Sequence, residues 1–305
     1  MKSEKPVLLL NWNYYRIDIT ESVLQFADSF ELVFLHDYHP SENTGCVKDY
    51  KRIFWNNYSS PYEILNDIRP AKILFYDIES FHQVSLTIAA RNRNIKTFVL
   101  EHGLRGSYEI NIEIQKYYTT RSNQIKVNYP NTSIPERVIR QSDKTLKFYL
   151  SAINWKNVFS LHWIFLFIYY RKKFGLTYGL YKIKRKFRWA DYYINFTERN
   201  ASYIKERDGV DLQRFRIIGN PSFDSFFSRV NSFQPESTEP YLLLLDAPFV
   251  EGDVFGMTPD QKNSFIEKLN EYALMQGMRL YIKLHPISYK SDFYVKHENI
   301  KYFTI

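Results

Sequence analysis

Three short clusters in this chain carry residue types suited to acid–base and phosphate chemistry, and each closes an apolar run. Residues 95–106 read IKTFVLEHGLRG, a strand-like run that stops at Glu101-His102-Gly103 and is followed by Arg105-Gly106. Residues 216–224 read RIIGNPSFD, and residues 281–286 read YIKLHP. In open α/β sheets ligands bind beyond the carboxyl ends of the strands, so a Glu–His pair placed there is a candidate for acid–base work. Plainer readings stand beside these. A strand-terminal His can simply cap backbone groups, and Asp224 suits a helix N-cap. Lys283 alternates within a strand and can face solvent, while Pro286 restricts His285 to extended geometry whatever its role. His36, His39, His82 and His297 have no metal-ligand spacing, and Asp37 with His39 reads as a surface turn, so no metal is expected.

The elements that must position these clusters alternate. Residues 6–12 read as a buried strand, Thr20-Glu21-Ser22 as the cap of a helix through Val23, Leu24, Phe26 and Ala27, and residues 31–35 as a second strand. PYEILNDI is helical and Pro70 breaks it; KILFYD, residues 72–77, is a strand; residues 83–92 form a helix leading into the strand that ends at His102. After an interruption come a strand over 190–195, a helix over 197–207 capped by Thr197, and a strand over 215–218. A Ser/Pro-rich linker, 232–240, marks a domain boundary. Beyond it LLLLD, 242–246, reads as a buried strand; Thr258-Pro259 opens a helix closed by Gly277; residues 279–286 and 300–305 are further strands. Strand–helix alternation with short connections predicts parallel sheets covered on both faces.

The 305 residues, 45% hydrophobic and 18% aromatic, can bury a large core. The single cysteine, Cys46, excludes an internal disulfide, and the N-terminal apolar stretch is too short for a secretory segment, so a cytoplasmic location is expected. The formal charge is +8, and residues 115–189 account for all of the excess, with 16 Lys or Arg against Glu136 and Asp143. Within that segment residues 158–170, VFSLHWIFLFIYY, are the most apolar run; as a helix they span about 20 Å, short of the roughly 30 Å hydrocarbon core of a membrane. Two readings remain open: a core helix, or an interfacial helix whose aromatic face lies in a bilayer while KIKRKFR, 182–188, meets anionic lipid. No nucleic-acid module accompanies the basic residues, so nucleic acid is not an expected partner.

The order of EHG at a strand end, ADYYINFTERNASYIKERDGVDLQRFRIIGNPSFD, LLLLDAP and YIKLHP resembles the GT-B nucleotide-sugar enzymes, above all bacterial transferases that build capsule, teichoic acid or sialylated surface glycans. The likeness covers roughly residues 6–106 and 190–286. It implies an α/β fold of two Rossmann-like, doubly wound domains, with an acceptor domain over 1–235 that includes a basic aromatic insertion at 107–189, and a donor domain over 236–305. The latter would be cut short, since such a domain ordinarily has about 150 residues.

By the same resemblance His102 would take the acceptor's proton, with Glu101 as the second choice, and Gly103 would let the backbone pass close to substrate. Gly219, Asn220 and Pro221 would form a loop near the donor; His285, with Pro286, would bind donor phosphate, helped by Lys283 and by Arg105. Sialyltransferases that share the His-Pro element carry an acidic-acidic-Gly triplet where this chain has Glu101-His102-Gly103; Glu251-Gly252-Asp253 is an approximate counterpart. The expected partners are a nucleotide-sugar, a glycan or lipid-linked acceptor and an anionic membrane surface reached through 115–189, with no cofactor. VLEHGLRG followed by IIGNPSFD also resembles UDP-GlcNAc-type 2-epimerases, and a non-catalytic glycan-binding protein is a third expectation.

Overall fold

The computed structural model describes residues 5–11, 17–36, 50–101, 146–154, 158–174, 186–220, 239–251, 256–285, 288–289 and 291–304, with isolated positions at 109, 112–113, 223–224, 227 and 230; structural statements refer to these. The chain divides into two compact units, Met1–Ser228 and Arg229–Ile305. The expected boundary between 235 and 236 lies outside the described residues.

The first unit is built on a wholly parallel sheet of seven strands: β1 (Val7–Asn11), β2 (Glu31–His36), β3 (Lys51–Phe54), β4 (Lys72–Phe75), β5 (Lys96–Leu100), β6 (Tyr192–Asn195) and β7 (Phe215–Ile217). Their spatial order, β3-β2-β1-β4-β5-β6-β7, reverses between β1 and β4, the doubly wound pattern. Side chains alternate between two cores. Leu9, Val33, Ile73 and Val99 enter one, Leu8, Leu10, Phe34 and Leu74 the other, so the central strands read as continuous apolar runs. Burying each such side chain stabilises the fold by about 1.5–3 kcal/mol.

Helices supply the covering layers. α1 (Ile17–Leu24) places Val23 in one core. α2 (Pro61–Ile68) and α3 (Phe81–Asn92) pack Ile64, Leu65, Ile68, Val84 and Ile88 in the other. Their starts are written in the sequence: Ser60 accepts from the Glu63 N–H ahead of Pro61, and Ser80 with Gln83 forms a reciprocal capping box. Thr20 is not a cap. It lies fully buried inside α1, which begins a turn earlier than expected. β3 was not legible either, because KRIF carries two exposed charges and places only Ile53 firmly inside.

The apolar run at 158–170 belongs to α4 (Ser160–Phe174). Leu161 and Ile168, seven residues apart, pack on the main core, while Phe165 and Tyr169, four apart, are 70% and 53% exposed. One face is core and the other is open. The expected lipid-facing run 182–188 also divides: Lys186 is exposed, Phe187 packs on the core and Arg188 is buried. A buried Arg at the end of a basic run corrects the picture of a uniformly solvated patch. α5 (Glu198–Asp208), capped by Thr197 and closed by Gly209, connects β6 to β7.

The second unit has a three-stranded parallel sheet, β8 (Tyr241–Leu245), β9 (Arg279–Lys283) and β10 (Ile300–Phe303), in the order β10-β9-β8. α6 (Pro259–Met275) crosses between β8 and β9, started by a capping box of Thr258 and Gln261 with Pro259 in its first turn. Ile266, Ala273, Leu280 and Ile282 are the fully buried centre of its core. LLLLD is not buried on both faces as expected: Leu242 and Leu244 pack on that core, whereas Leu243 and Leu245 are 49% and 68% exposed. Only one face of β8 is covered, so the run resembles a two-sided strand in composition alone.

Candidate functional site

Because every strand of the large sheet runs the same way, all carboxyl ends lie along one edge, and polar residues line it. Asn11 ends β1, His36 ends β2, Glu101 follows β5 and Asn195 ends β6; all four are at most 2% exposed. Asn11 donates to the Leu35 carbonyl at 3.2 Å and accepts from Gln83 at 2.9 Å, so α3 is tied to the strand end. The Asn195 amide donates to Glu101 Oε2 at 2.5 Å. The Glu101 N–H donates to the Ile194 carbonyl at 3.0 Å, and the Ile218 N–H donates to the Asn195 carbonyl at 3.0 Å. A continuous path therefore joins Glu101, Asn195 and the turn after β7. That turn opens at Gly219, whose φ of +77° is the left-handed conformation glycine adopts freely, and the Asn220 carbonyl accepts from the Phe223 N–H at 3.0 Å.

Of the residues expected at this edge, Glu101, Gly219 and Asn220 are placed together by β5, β6 and β7. His102, Gly103, Arg105 and Pro221 lie outside the described residues. Asn195 was missed, since an Asn closing a YYIN strand has no spacing signal of its own. His36 packs its ring 5.2 Å from Phe54, and His82 stacks on Trp55 at 4.9 Å; among the described residues no group of three or more His, Cys, Asp or Glu side chains is arranged to hold a metal ion.

Behind Glu101 is a cavity lined by Tyr76, Asp77, Tyr193, Arg188, Arg207 and Asp208. Asp208 bonds to Arg188 on one oxygen and to Arg207 at 2.7 Å on the other, and Arg207 reaches Glu79 at 2.6 Å. Burial works against the Arg207 charge, but Asp208 and Glu79 more than offset it and push its pKa up. Burial raises the Tyr193 phenol to about 12, so it stays protonated. These ion pairs pin the end of the basic segment to α5, and the buried Arg188 Nε has no hydrogen-bond partner among the described residues.

In the second unit, Lys283 and His285 stand at and just beyond the end of β9. Lys283 is exposed, in register with Leu245 and Phe303. His285 is half-buried, its carbonyl accepting from the Ser288 N–H at 2.8 Å; Pro286 lies outside the described residues. Beside this turn sequence reasoning missed a buried cluster of Asp246, Lys262 and Tyr294 with Glu251. Burial alone would raise Glu251, but hydroxyls of Ser288, Ser291 and Tyr294 pull it down to about 2. A carboxylate so held is a poor proton acceptor.

No curated protein matches the chain. Solved structures with a related chain trace include a glycotransferase of kitacinnamycin, 10% identical with a TM-score of 0.45, covering 98% of this chain and 70% of that one. Another is a UDP-glucosyltransferase from Polygonum tinctorium capable of glucosylating indoxyl, 11% identical with a TM-score of 0.42, covering 100% and 72%. The sequence profile described as Alpha-2,8-polysialyltransferase (POLYST) matches residues 35–301, taking in most of both units and all three of the clusters with which the sequence opened. The chain therefore belongs to the alpha-2,8-polysialyltransferase family and is a glycosyltransferase that draws on a nucleotide-sugar donor.

Proposed function

We propose that this glycosyltransferase adds sialic acid to the end of a sialylated glycan in surface-polysaccharide assembly. The family description supplies the sugar and the linkage. An α-2,8 bond forms when the acceptor's 8-hydroxyl oxygen attacks C2 of the donor sugar. The bond from C2 to the nucleotide phosphate breaks, its electron pair leaves with the phosphate, and the hydroxyl proton passes to a base. In this reading His102 takes the proton. Glu101, 2% exposed and bonded to Asn195, holds the strand end from which His102 departs. His285, with Lys283, balances the charge of the leaving phosphate.

The observation that carries the reading is the family match over 35–301, which contains every one of these residues. The test is elongation of a short α-2,8-linked oligosialic acid by the whole chain with CMP-linked sialic acid, read by mass. Stepwise growth is expected, with His102→Ala slowing turnover by about 100-fold or more. Donor consumed without acceptor would select a sugar-nucleotide epimerase instead, and acceptor bound without turnover a glycan-binding protein.

A peripheral position on the inner face of a membrane is part of the same proposal. It is supported by the cationic excess of 115–189 and by the open face of α4, where Phe165 and Tyr169 are exposed and Lys173 lies 5.6 Å from the Tyr169 ring. Among the described residues no helix is long and apolar enough to cross a membrane. Cosedimentation with anionic vesicles at low salt, reduced at high salt, is the expected result; no binding at low salt would contradict it.

A further inference from the structure

The cluster around Lys262 occupies a place where a buried lysine is costly. Lys262 lies in the first turns of α6, the helix end that disfavours positive charge, and is 3% exposed. Its ammonium is held at 3.0 Å from Asp246, 2.8 Å from the Tyr294 hydroxyl and 3.2 Å from the Ala247 carbonyl, with Glu251 at 3.5 Å. The Tyr294 hydroxyl stands 2.8 Å from Asp246 and 3.0 Å from Glu251. Burial first, then the two carboxylates, pushes that phenol well above its usual range, so it remains a hydrogen-bond donor.

These residues come from three separate pieces of chain. Asp246 and Glu251 follow β8, Lys262 opens α6, and Tyr294 belongs to the loop after β9. That loop is fastened twice more: Asn263 donates to the Phe293 carbonyl at 2.6 Å and accepts from the Val295 N–H at 3.1 Å. Ser291 donates its hydroxyl to Glu251 at 2.9 Å and its N–H to the Ser288 carbonyl at 3.0 Å, and the N–H of the fully buried Ser288 meets the His285 carbonyl at 2.8 Å. The Asp246 N–H closes the circuit on the Lys283 carbonyl at 2.9 Å. Two carboxylates and one ammonium are thus spent on internal contacts, and the contacts converge on the turn that carries His285.

We infer that Glu251 and Ser291, anchored by Lys262 and Tyr294, are positioning residues that fix the His285 turn and so set the affinity for the donor nucleotide. The inference rests on the reading of His285 as a phosphate contact. A hydroxyl and a carboxylate that merely stabilised the loop would affect folding but would not depend on the identity of residue 285.

The test is a double-mutant cycle on the whole chain, with Ser291→Ala and Glu251→Gln each made in the parent and in His285→Ala. Calorimetry against the free nucleotides CMP, CDP, UDP and GDP identifies the one the parent binds and gives its Kd, and urea unfolding gives stability in parallel. The expected result is about a tenfold weaker Kd for Ser291→Ala and Glu251→Gln in the parent and no further weakening in His285→Ala. Equal weakening in both backgrounds, or none in the parent, would overturn the inference while leaving His285 as a donor contact. An unchanged Kd in His285→Ala alone, or no nucleotide bound by the parent, would overturn the reading of His285 and the inference with it. Ser291→Ala removes one oxygen and decides the matter if Glu251→Gln does not fold.

Discussion

Asn195 and Glu101 meet in a place where neither can be replaced without a remainder. Removing the amide in Asn195→Ala leaves a buried carboxylate oxygen without that donor, and a loss of about 1–3 kcal/mol in urea unfolding is expected. Asn195→Asp, which sets two carboxylates against each other, should cost more. Glu251 behaves differently with pH. Its pKa falls from an ordinary 4.5 to about 2 on folding, so its contribution is complete above pH 4.5 and is lost as pH drops through 2. Stability followed between those limits should decline more steeply in the parent than in Glu251→Gln; parallel curves would refute the linkage. Asn195 and Lys262 were the least legible from sequence. An Asn at a strand end, or a Lys early in a helix, reads as solvated until the fold shows what encloses it, whereas Glu101 and His285 stood out because turn-forming residues follow them.

At the scale of elements, the strands that the sequence showed are those with a continuous apolar run, because a parallel strand buried on both faces needs no polar alternation. Caps were equally plain: Thr197, and Thr258 ahead of Pro259, start helices where their hydroxyls predict. What composition could not tell is which faces find a neighbour. LLLLD is as apolar as a buried strand, yet one side of it is open, and the aromatic run in α4 is half core and half surface. The difference is measurable. Ile282→Ala, in the fully buried centre of the second unit, should cost about 2–5 kcal/mol, while Leu245→Ser should cost less than about 1 kcal/mol. In α4, Phe165→Ser with Tyr169→Ser should leave unfolding within about 0.5 kcal/mol of the parent yet lower binding to anionic vesicles. Arg188, which composition assigns to the same basic surface, should instead behave as a core residue: Arg188→Met takes one cation from a buried network and should destabilise by about 3–5 kcal/mol.

For the whole molecule, the division of labour is one of charge and chemistry. The cationic excess is confined to 115–189, while the clusters with acid–base and phosphate chemistry sit at strand ends outside it. Fold class followed from the alternation of strands and helices; the family followed from the match over 35–301. The roles within that family rest on two histidines, one in each unit, to which different jobs are assigned. The direct test is thermal-shift and calorimetric titration of the whole chain with UDP-, GDP-, CDP- and CMP-linked sugars and the free nucleotides. Saturable stabilisation by one nucleotide, CMP above all, is predicted, reaching about 2.7 kcal/mol at a hundredfold excess over Kd, kept in His102→Ala and reduced in His285→Ala. A folded chain that responds to none of them, or one whose response is unchanged in His285→Ala, would contradict the account.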